Sequence, residues 1–391
     1  MRNFALISKD AMCTDYLPVY GNTFWKTPNI DAIAKQGTVF HNHYTAAPST
    51  VMAFYAMAIG NWPYETKYEM YEKVHERIEG PTAFTRLKDK GYECHLVWDE
   101  EWTDVLFEYY DYYREDIQVH SLVGLRQGVG SHYIHEGFLT PSKEKAELAW
   151  NVVKAELDKI FAGKDNVFLW IHFPHVINGC VSYGSDIEPF DKFVGLIRQY
   201  VDDDRIAITS DHGNQNGHKG KICYGFDVYQ ESVRIPLITP KYMGLSDYYK
   251  GTSNKDMFDI ILGDVPEYDF IYIDTAYRAQ KHRKLAIVYD HYKYVYNKQT
   301  DTEELYDLDF DKNEEFSIID DYIFDPDRKI LAPSRELYYY PDWDDLPQVR
   351  ELLRNQKNLV WKDGSKKTVA KSNLKEMIKP IYRKLKKKKK A

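Results

Sequence analysis

Short apolar runs alternate with helical patterns through the first half of the chain, and each run ends where chemistry-bearing residues begin. Residues 4–7 read as a strand that leads through Ser8 to Asp10. Residues 30–36 read as a short helix, led in by Thr27-Pro28-Asn29 and closed by Gly37. A second helix, 51–59, begins at or just after Thr50. A third, 82–90, is ended by Gly91, and 93–97 is the next strand. Residues 143–161 carry the spacing of a long amphipathic helix. A buried strand at 166–172, a helix at 190–201 and a strand at 205–209 follow. Such alternation predicts an α/β fold, a mainly parallel sheet sandwiched by helices. Sites in such sheets gather beyond the carboxyl ends of the strands. Asp10, His172 with His175, and Asp211 with His212 all fall there.

After about residue 280 the texture changes. Residues 284–288, 292–296 and 303–307 alternate like antiparallel strands. The expected organisation is an α/β domain over 1–280, a small C-terminal antiparallel α+β subdomain over 281–350, and a basic tail over 351–391, helical or disordered. The tail joins an apolar stripe, Leu374, Met377, Ile378, Ile381, Tyr382 and Leu385, to five lysines at 386–390. That pattern suits peripheral contact with an anionic membrane. At 391 residues, 43% of them hydrophobic, there is material for one large core plus an appendage. A net charge of −8 argues against general nucleic-acid binding. The 33 tyrosines suit polar aromatic surfaces such as sugar platforms. Cys13, Cys94, Cys180 and Cys223 show no CxxC spacing and read as reduced thiols. With no leader pattern and no apolar run long enough to span a bilayer, the expected location is cytoplasmic, with the inner membrane surface as a peripheral site.

Asp10, Asp211 and His212 offer two carboxylate oxygens and an imidazole nitrogen, and Thr50 Oγ is a fourth donor. This set suits one divalent cation, Zn²⁺ or Mn²⁺ ahead of Mg²⁺ or Ca²⁺. Thr50, at the head of the run Thr50-Val51-Met52-Ala53-Phe54-Tyr55, also has the place of a nucleophile at a helix N-terminus. Ser49 is its rival, one residue away. His175 reads as a donor to an oxygen of the substrate or leaving group, and His172 has a similar claim.

Taken together, these landmarks resemble the sulfatase family within the alkaline phosphatase superfamily. Thr27-Pro28-Asn29-Ile30-Asp31 with Gly37-Thr38-Val39-Phe40 is similar to the family's TPNLDxLAxxGxxF segment. The stretch from Thr50 to Gly60 has the length of its nucleophile helix. Residues 166–175 resemble its strand ending in a substrate-facing His, and Ser210-Asp211-His212-Gly213 is its SDHG. Ser232-Val233-Arg234-Ile235-Pro236-Leu237-Ile238 and Glu303-Glu304-Leu305-Tyr306-Asp307-Leu308 resemble its SVRVPLI and ELYDL segments. The resemblance implies an alkaline-phosphatase/sulfatase-like fold and metal-dependent ester chemistry. It also implies that a His or Lys in the loop after SDHG holds the transferring group, which points to His218, Lys219 and Lys221.

Two departures shape the expectation. Counting back from Gly60, the residue that active sulfatases oxidise to formylglycine falls on Thr50, with Met52 and Phe54 at the family's Pro and Arg positions. Threonine carries a methyl on its β-carbon and cannot become formylglycine, so Thr50 resembles the phosphate-handling branches, the phosphoethanolamine and phosphoglycerol transferases and nucleotide pyrophosphatases. Lys9 also stands where sulfatases carry a second Asp, which implies one metal and a cation beside it. The expected function is cleavage or transfer of a phospho-group through a covalent Thr50 intermediate. The alternatives are a sulfuric ester hydrolase and a degenerate glycan- or phospholipid-binding member. The substrate class is a phosphorylated or sulfated small molecule, glycan or lipid-linked compound.

Overall fold

The computed structural model describes residues 2–65, 81–98, 116–121, 143–173, 184–275, 283–320, 322–325, 330–333 and 346–361. His175, His132, His135, the Gly128-Val129-Gly130 segment and the terminal lysines lie outside them. Two compact units emerge, Met1–Lys284 and Leu285–Ala391.

The first unit is built on eight strands: β1 (Phe4–Lys9), β2 (Thr38–Phe40), β3 (Glu93–Trp98), β4 (Gln118–Ser121), β5 (Val167–Phe173), β6 (Ile206–Ser210), β7 (Leu237–Thr239) and β8 (Asp247–Tyr248). Their order is β8-β2-β7-β6-β1-β5-β3-β4. β1 pairs in parallel with β5 and β6, and β3 with β4 and β5, while β7 runs antiparallel to both its neighbours. The central strands are buried along their whole length, as a sheet covered on both faces requires.

Strand parity sorts the core. Phe4, Leu6, Leu96, Trp98, Phe168 and Trp170 face one side, where α2 (Thr50–Ile59) and α3 (Ala83–Asp89) pack. Ala5, Ile7, Val97, Leu169, Ile171 and Ile208 face the other, under α1 (Pro28–Gln36), α4 (Lys143–Phe161) and α5 (Ile187–Ile197). α2 is apolar all round because almost every residue of it is buried. Gly60 ends it at φ +79, a left-handed value that glycine adopts without strain. α3 carries a capping box in which Thr82 and Thr85 bond each other's backbone N–H. α5 begins earlier than the apolar pattern suggests, because Asp186, Ile187, Phe190 and Asp191 are all buried.

In the second unit, Tyr292–Asn297 pairs antiparallel with Thr302–Asp307, and Lys284–Tyr289 lies beside the first of these. The buried Lys293 and Glu314 form an ion pair at 2.6 Å. Residues 351–360, which composition grouped with the tail, belong to α6 (Leu346–Val360), whose Leu352 and Leu353 are buried. The reading of four reduced cysteines fails at Cys223, which is disulfide-bonded, while Cys13 and Cys94 are free and buried. No helix among the described residues is long and apolar enough to cross a membrane.

Candidate metal centre

β1 and β6 are adjacent parallel strands that end level, with Lys9 opposite Ser210. The residues that follow them, Asp10 and Asp211-His212, therefore arrive together at the carboxyl edge of the sheet. One donor atom from each of Asp10, Asp211 and His212 lies within 4.8 Å of the others, and all three side chains are buried. His212 Nε2 is 3.5 Å from Asp10 Oδ1 and 3.4 Å from Asp211 Oδ2.

The backbone is stitched to hold this arrangement. Ser210 Oγ accepts from Met12 N–H at 3.0 Å and lies 2.6 Å from the carbonyl oxygens of both Lys9 and His212. Ala11, at φ 57, is a non-glycine residue in left-handed backbone, and its N–H donates to Asp211 Oδ1 at 3.2 Å. His212 N–H reaches the same oxygen at 2.8 Å. Gly213 is required by close approach, since a Cβ there would lie 1.9 Å from the Glu231 carbonyl oxygen.

These bonds leave specific atoms unspent. Nδ1 of His212 donates to the Gly213 carbonyl at 2.8 Å, which fixes the tautomer and leaves the Nε2 lone pair facing the two carboxylates. Asp211 Oδ2 is buried without a hydrogen-bond partner. A lone pair and two carboxylates converging in a buried space repel one another unless a cation sits among them. The donor set thus fits a divalent cation.

Thr50 completes the cluster, with Oγ1 3.1 Å from His212 Nε2. It is the first residue of α2, and Ser49, not Thr50, is the N-cap. Ser49 makes no side-chain capping bond and its Oγ is buried without a partner. Phe54, one turn along α2, stacks on Trp170 at 4.6 Å and meets His172 edge-on at 4.9 Å. The floor beneath Thr50 is therefore aromatic. His172 Nδ1 lies 2.8 Å from Ser8 Oγ, which also accepts from Trp170 Nε1–H at 2.9 Å. Its Nε2 is buried and without a hydrogen-bond partner. Burial holds this ring neutral, with its pKa pushed down to about 3.

Other expected residues have different surroundings. Lys9 is buried, and its ammonium turns to Asp186 at 2.7 Å and to the Asp10 carbonyl at 3.0 Å, so its charge is matched by a carboxylate. Lys221 donates to Asp227 at 2.7 Å and lies 5.7 Å from the centre of the Tyr229 ring, where Lys219 also sits. His218 meets the same ring edge-on at 6.4 Å. Thus Asp10, Thr50, Asp211 and His212 come together, while Lys221 is engaged by Asp227.

Two neighbours carried no sequence signal. Tyr224 lies against His212 with ring centres 4.4 Å apart. Asn254 accepts from Ala46 N–H at 2.8 Å and donates to Thr45 Oγ1 at 3.0 Å and to the Asp211 carbonyl at 3.3 Å. It ties the loop that leads into Thr50 to the strand end that carries Asp211.

Fold and site define a class: a doubly covered α/β sheet with an acidic and imidazole cation site at its strand ends and a hydroxyl at a helix start. Residues 2–175 match the family model described as Sulfatase. An arylsulfatase of Clostridium perfringens (strain 13 / Type A) is 32% identical over 146 residues, 37% of this chain and 26% of that protein. The aligned segment thus spans about a quarter of that relative's length. Among solved structures, a 2-O GAG sulfatase aligns with a TM-score of 0.64 at 15% identity, covering 95% of this chain and 96% of its own. The phosphonate monoester hydrolase of Agrobacterium radiobacter aligns at 0.63 and 16% identity, covering 92% and 95%. The first part of the chain is thus similar to the Sulfatase family model, and the fold is that of sulfatase-like structures.

Proposed function

We propose that the protein is a metal-dependent ester-cleaving enzyme that moves a phospho-group through a covalent intermediate on Thr50. The observation that carries this reading is the Thr50 hydroxyl, 3.1 Å from His212 Nε2 at the first turn of α2. Asp10, Asp211 and His212 would hold one divalent cation, Zn²⁺ or Mn²⁺ ahead of Mg²⁺ or Ca²⁺. When bound, that cation supplies Lewis acidity that favours the alkoxide form of a nearby hydroxyl and offsets charge at phosphorus.

The chain's own groups do the rest. Thr50 Oγ bonds to phosphorus as the ester oxygen departs. Water or an acceptor alcohol then breaks the Thr50–phosphate bond and restores the hydroxyl. The N–H groups at the start of α2 and the helix dipole favour negative charge on the group being transferred. His172, kept neutral by burial, would offer Nε2–H as a donor in the tautomer that accepts from Ser8 at Nδ1. His175 and His218 are proposed as further donors to the transferring or leaving oxygens. Lys221 joins them only if it leaves Asp227.

The sulfated-ester reading has its own support, since the relative in Clostridium perfringens is called an arylsulfatase. Structural neighbours include one protein in complex with k-i-k-neocarrahexaose and one in complex with its substrate D-glucosamine-2-N,6-O-disulfate. A glycan-borne anionic ester is accordingly the proposed substrate class. Thr50 favours phosphorus over sulfur, because its branched β-carbon closes the aldehyde route. A cytoplasmic location and contact of the basic tail with anionic lipid remain part of the proposal. The deciding experiment is intact-mass and peptide-mass analysis after incubation with Mn²⁺ or Zn²⁺ and an aryl phosphodiester. A phosphoryl adduct on Thr50 is expected. Turnover with the adduct elsewhere, or turnover by Thr50→Ala, overturns the reading.

A further inference from the structure

His95 on β3 and His120 on β4 face each other at the edge of the sheet. Strand register sets them together, with His95 opposite Gln118 and Val97 opposite His120. His95 Nδ1 lies 2.9 Å from His120 Nε2. Each outer nitrogen meets a carboxylate: His95 Nε2 is 3.1 Å from Glu93 Oε1, and His120 Nδ1 is 2.7 Å from Glu156 Oε1 on α4.

Both carboxylates are kept ionised. The hydrogen bond from Lys164 holds Glu93 below its ordinary pKa. At Glu156 burial works in the opposite direction, but hydrogen bonds from Lys159 and His120 outweigh it. An ionised carboxylate only accepts, so both outer nitrogens carry protons. The inner contact needs one more, since two imidazole lone pairs at hydrogen-bond distance repel. Four nitrogens therefore hold three protons, and the pair shares one positive charge. A neutral pair holds two protons and must lose one of the three contacts.

We propose that His95 and His120 form a single-proton clasp that fastens edge strand β4 to β3 and α4, and that releases the strand as pH rises. The groups facing the pair are Glu93 with Lys164 and Gln118 on one side, and Glu156 with Lys159 on the other. A fourth proton is opposed, since burial pushes His95 down to about 4. The sign follows from proton linkage. Above the ordinary imidazole range of about 6.5 the released rings are neutral while the fastened pair still holds one extra proton, so in that range fastening weakens as pH rises. β4 is four residues long and, among the described residues, lies at the sheet edge with β3 as its one strand partner, so the loss falls on it.

The test is made on the intact protein, from about pH 5 to about pH 9, a range that spans imidazole titration. Imidazole ¹⁵N resonances of His95 and His120 are recorded together with amide exchange of residues 118–121. Both rings are expected to shift in one shared transition. In the same step, exchange at 118–121 should accelerate at least ~tenfold beyond its intrinsic rise with pH, a factor worth about 1.4 kcal/mol. Glu156→Gln should move the transition to lower pH, because it removes a charge that favours the imidazolium. Three results overturn the clasp: rings that titrate independently, a pair already neutral at the acid end, or exchange at 118–121 without a step. A transition unmoved by Glu156→Gln also counts against it.

Discussion

Thr50 Oγ1 lies 3.1 Å from His212 Nε2, the nitrogen left without a proton by the bond from Nδ1 to the Gly213 carbonyl. Residues far apart in sequence meet there because Asn254 ties the loop before Thr50 to the carbonyl of Asp211. The hydroxyl is thus placed against the same atoms that converge on the cation position.

The first prediction concerns that cation. Elemental analysis after loading with Zn²⁺ or Mn²⁺ should find about one ion per chain, and Asp211→Ala should lose most of it, since one charged ligand supplies a large share of site affinity. A chelator should lower the Tm of the wild type and leave that of Asp211→Ala unmoved, because an ion that binds only the folded state stabilises it. Full retention by both Asp10→Ala and Asp211→Ala sinks the site.

Much of this arrangement is legible in the sequence, for a physical reason. Central strands such as Ile206–Ser210 are continuous apolar runs, and an Asp or His directly after one has nowhere to go but the sheet's carboxyl edge. Asp10, Asp211 and His212 could be found in that way. Partners supplied by tertiary contact could not. Nothing local marks Asp186 as the carboxylate that takes Lys9, or Asn254 as the tie to Asp211. Lys221 looked available from its loop but is bound to Asp227. The helix starts at Thr50, within the expected bounds, and what the sequence did not show is that Ser49, with a good capping side chain, is held extended at φ −152 without making the capping bond.

The nucleophile gives the second prediction. Thr50→Ala should lower kcat by ~10³-fold or more, because a covalent step loses its attacking atom. The fold should lose no more than about 0.5 kcal/mol, since Thr50 contributes little to the core. Thr50→Ser should retain part of the activity. Ser49→Ala should stay near wild type, as the N-cap bond it could break is not made. A dead Ser49→Ala beside an active Thr50→Ala would move the nucleophile by one residue.

His43 contributes a share of the protein's acid sensitivity. This ring is buried, bonded at Nδ1 to Thr252 Oγ1 at 2.9 Å, and burial lowers its pKa to about 3. The unfolded chain protonates it near the ordinary value of about 6.5, so between these limits the unfolded state binds the extra proton. Stability then falls with falling pH by up to about 1.4 kcal/mol per pH unit from this residue alone. Urea unfolding at about pH 6 and about pH 5 should show this slope reduced by close to one proton in His43→Asn. An unchanged slope would place the acid sensitivity elsewhere.

The last prediction separates phosphorus from sulfur. Sulfate-ester cleavage in this family relies on an aldehyde hydrate that Thr50 cannot form, so a sulfate would have to be attacked directly by the hydroxyl. A phosphodiester or phosphomonoester carries more charge on the oxygens around its central atom in the transition state, where a divalent cation and the first turn of α2 both favour negative charge. Stabilisation that grows toward the transition state raises kcat/KM for the phosphorus ester selectively. An aryl phosphodiester or phosphomonoester should therefore be cleaved at least ~tenfold faster in kcat/KM than the matching aryl sulfate, a difference of about 1.4 kcal/mol. Thr50→Ala should abolish cleavage of both. A preference for the sulfate that survives in the wild type and vanishes in Thr50→Ala would keep Thr50 as nucleophile and overturn the assignment of phosphorus.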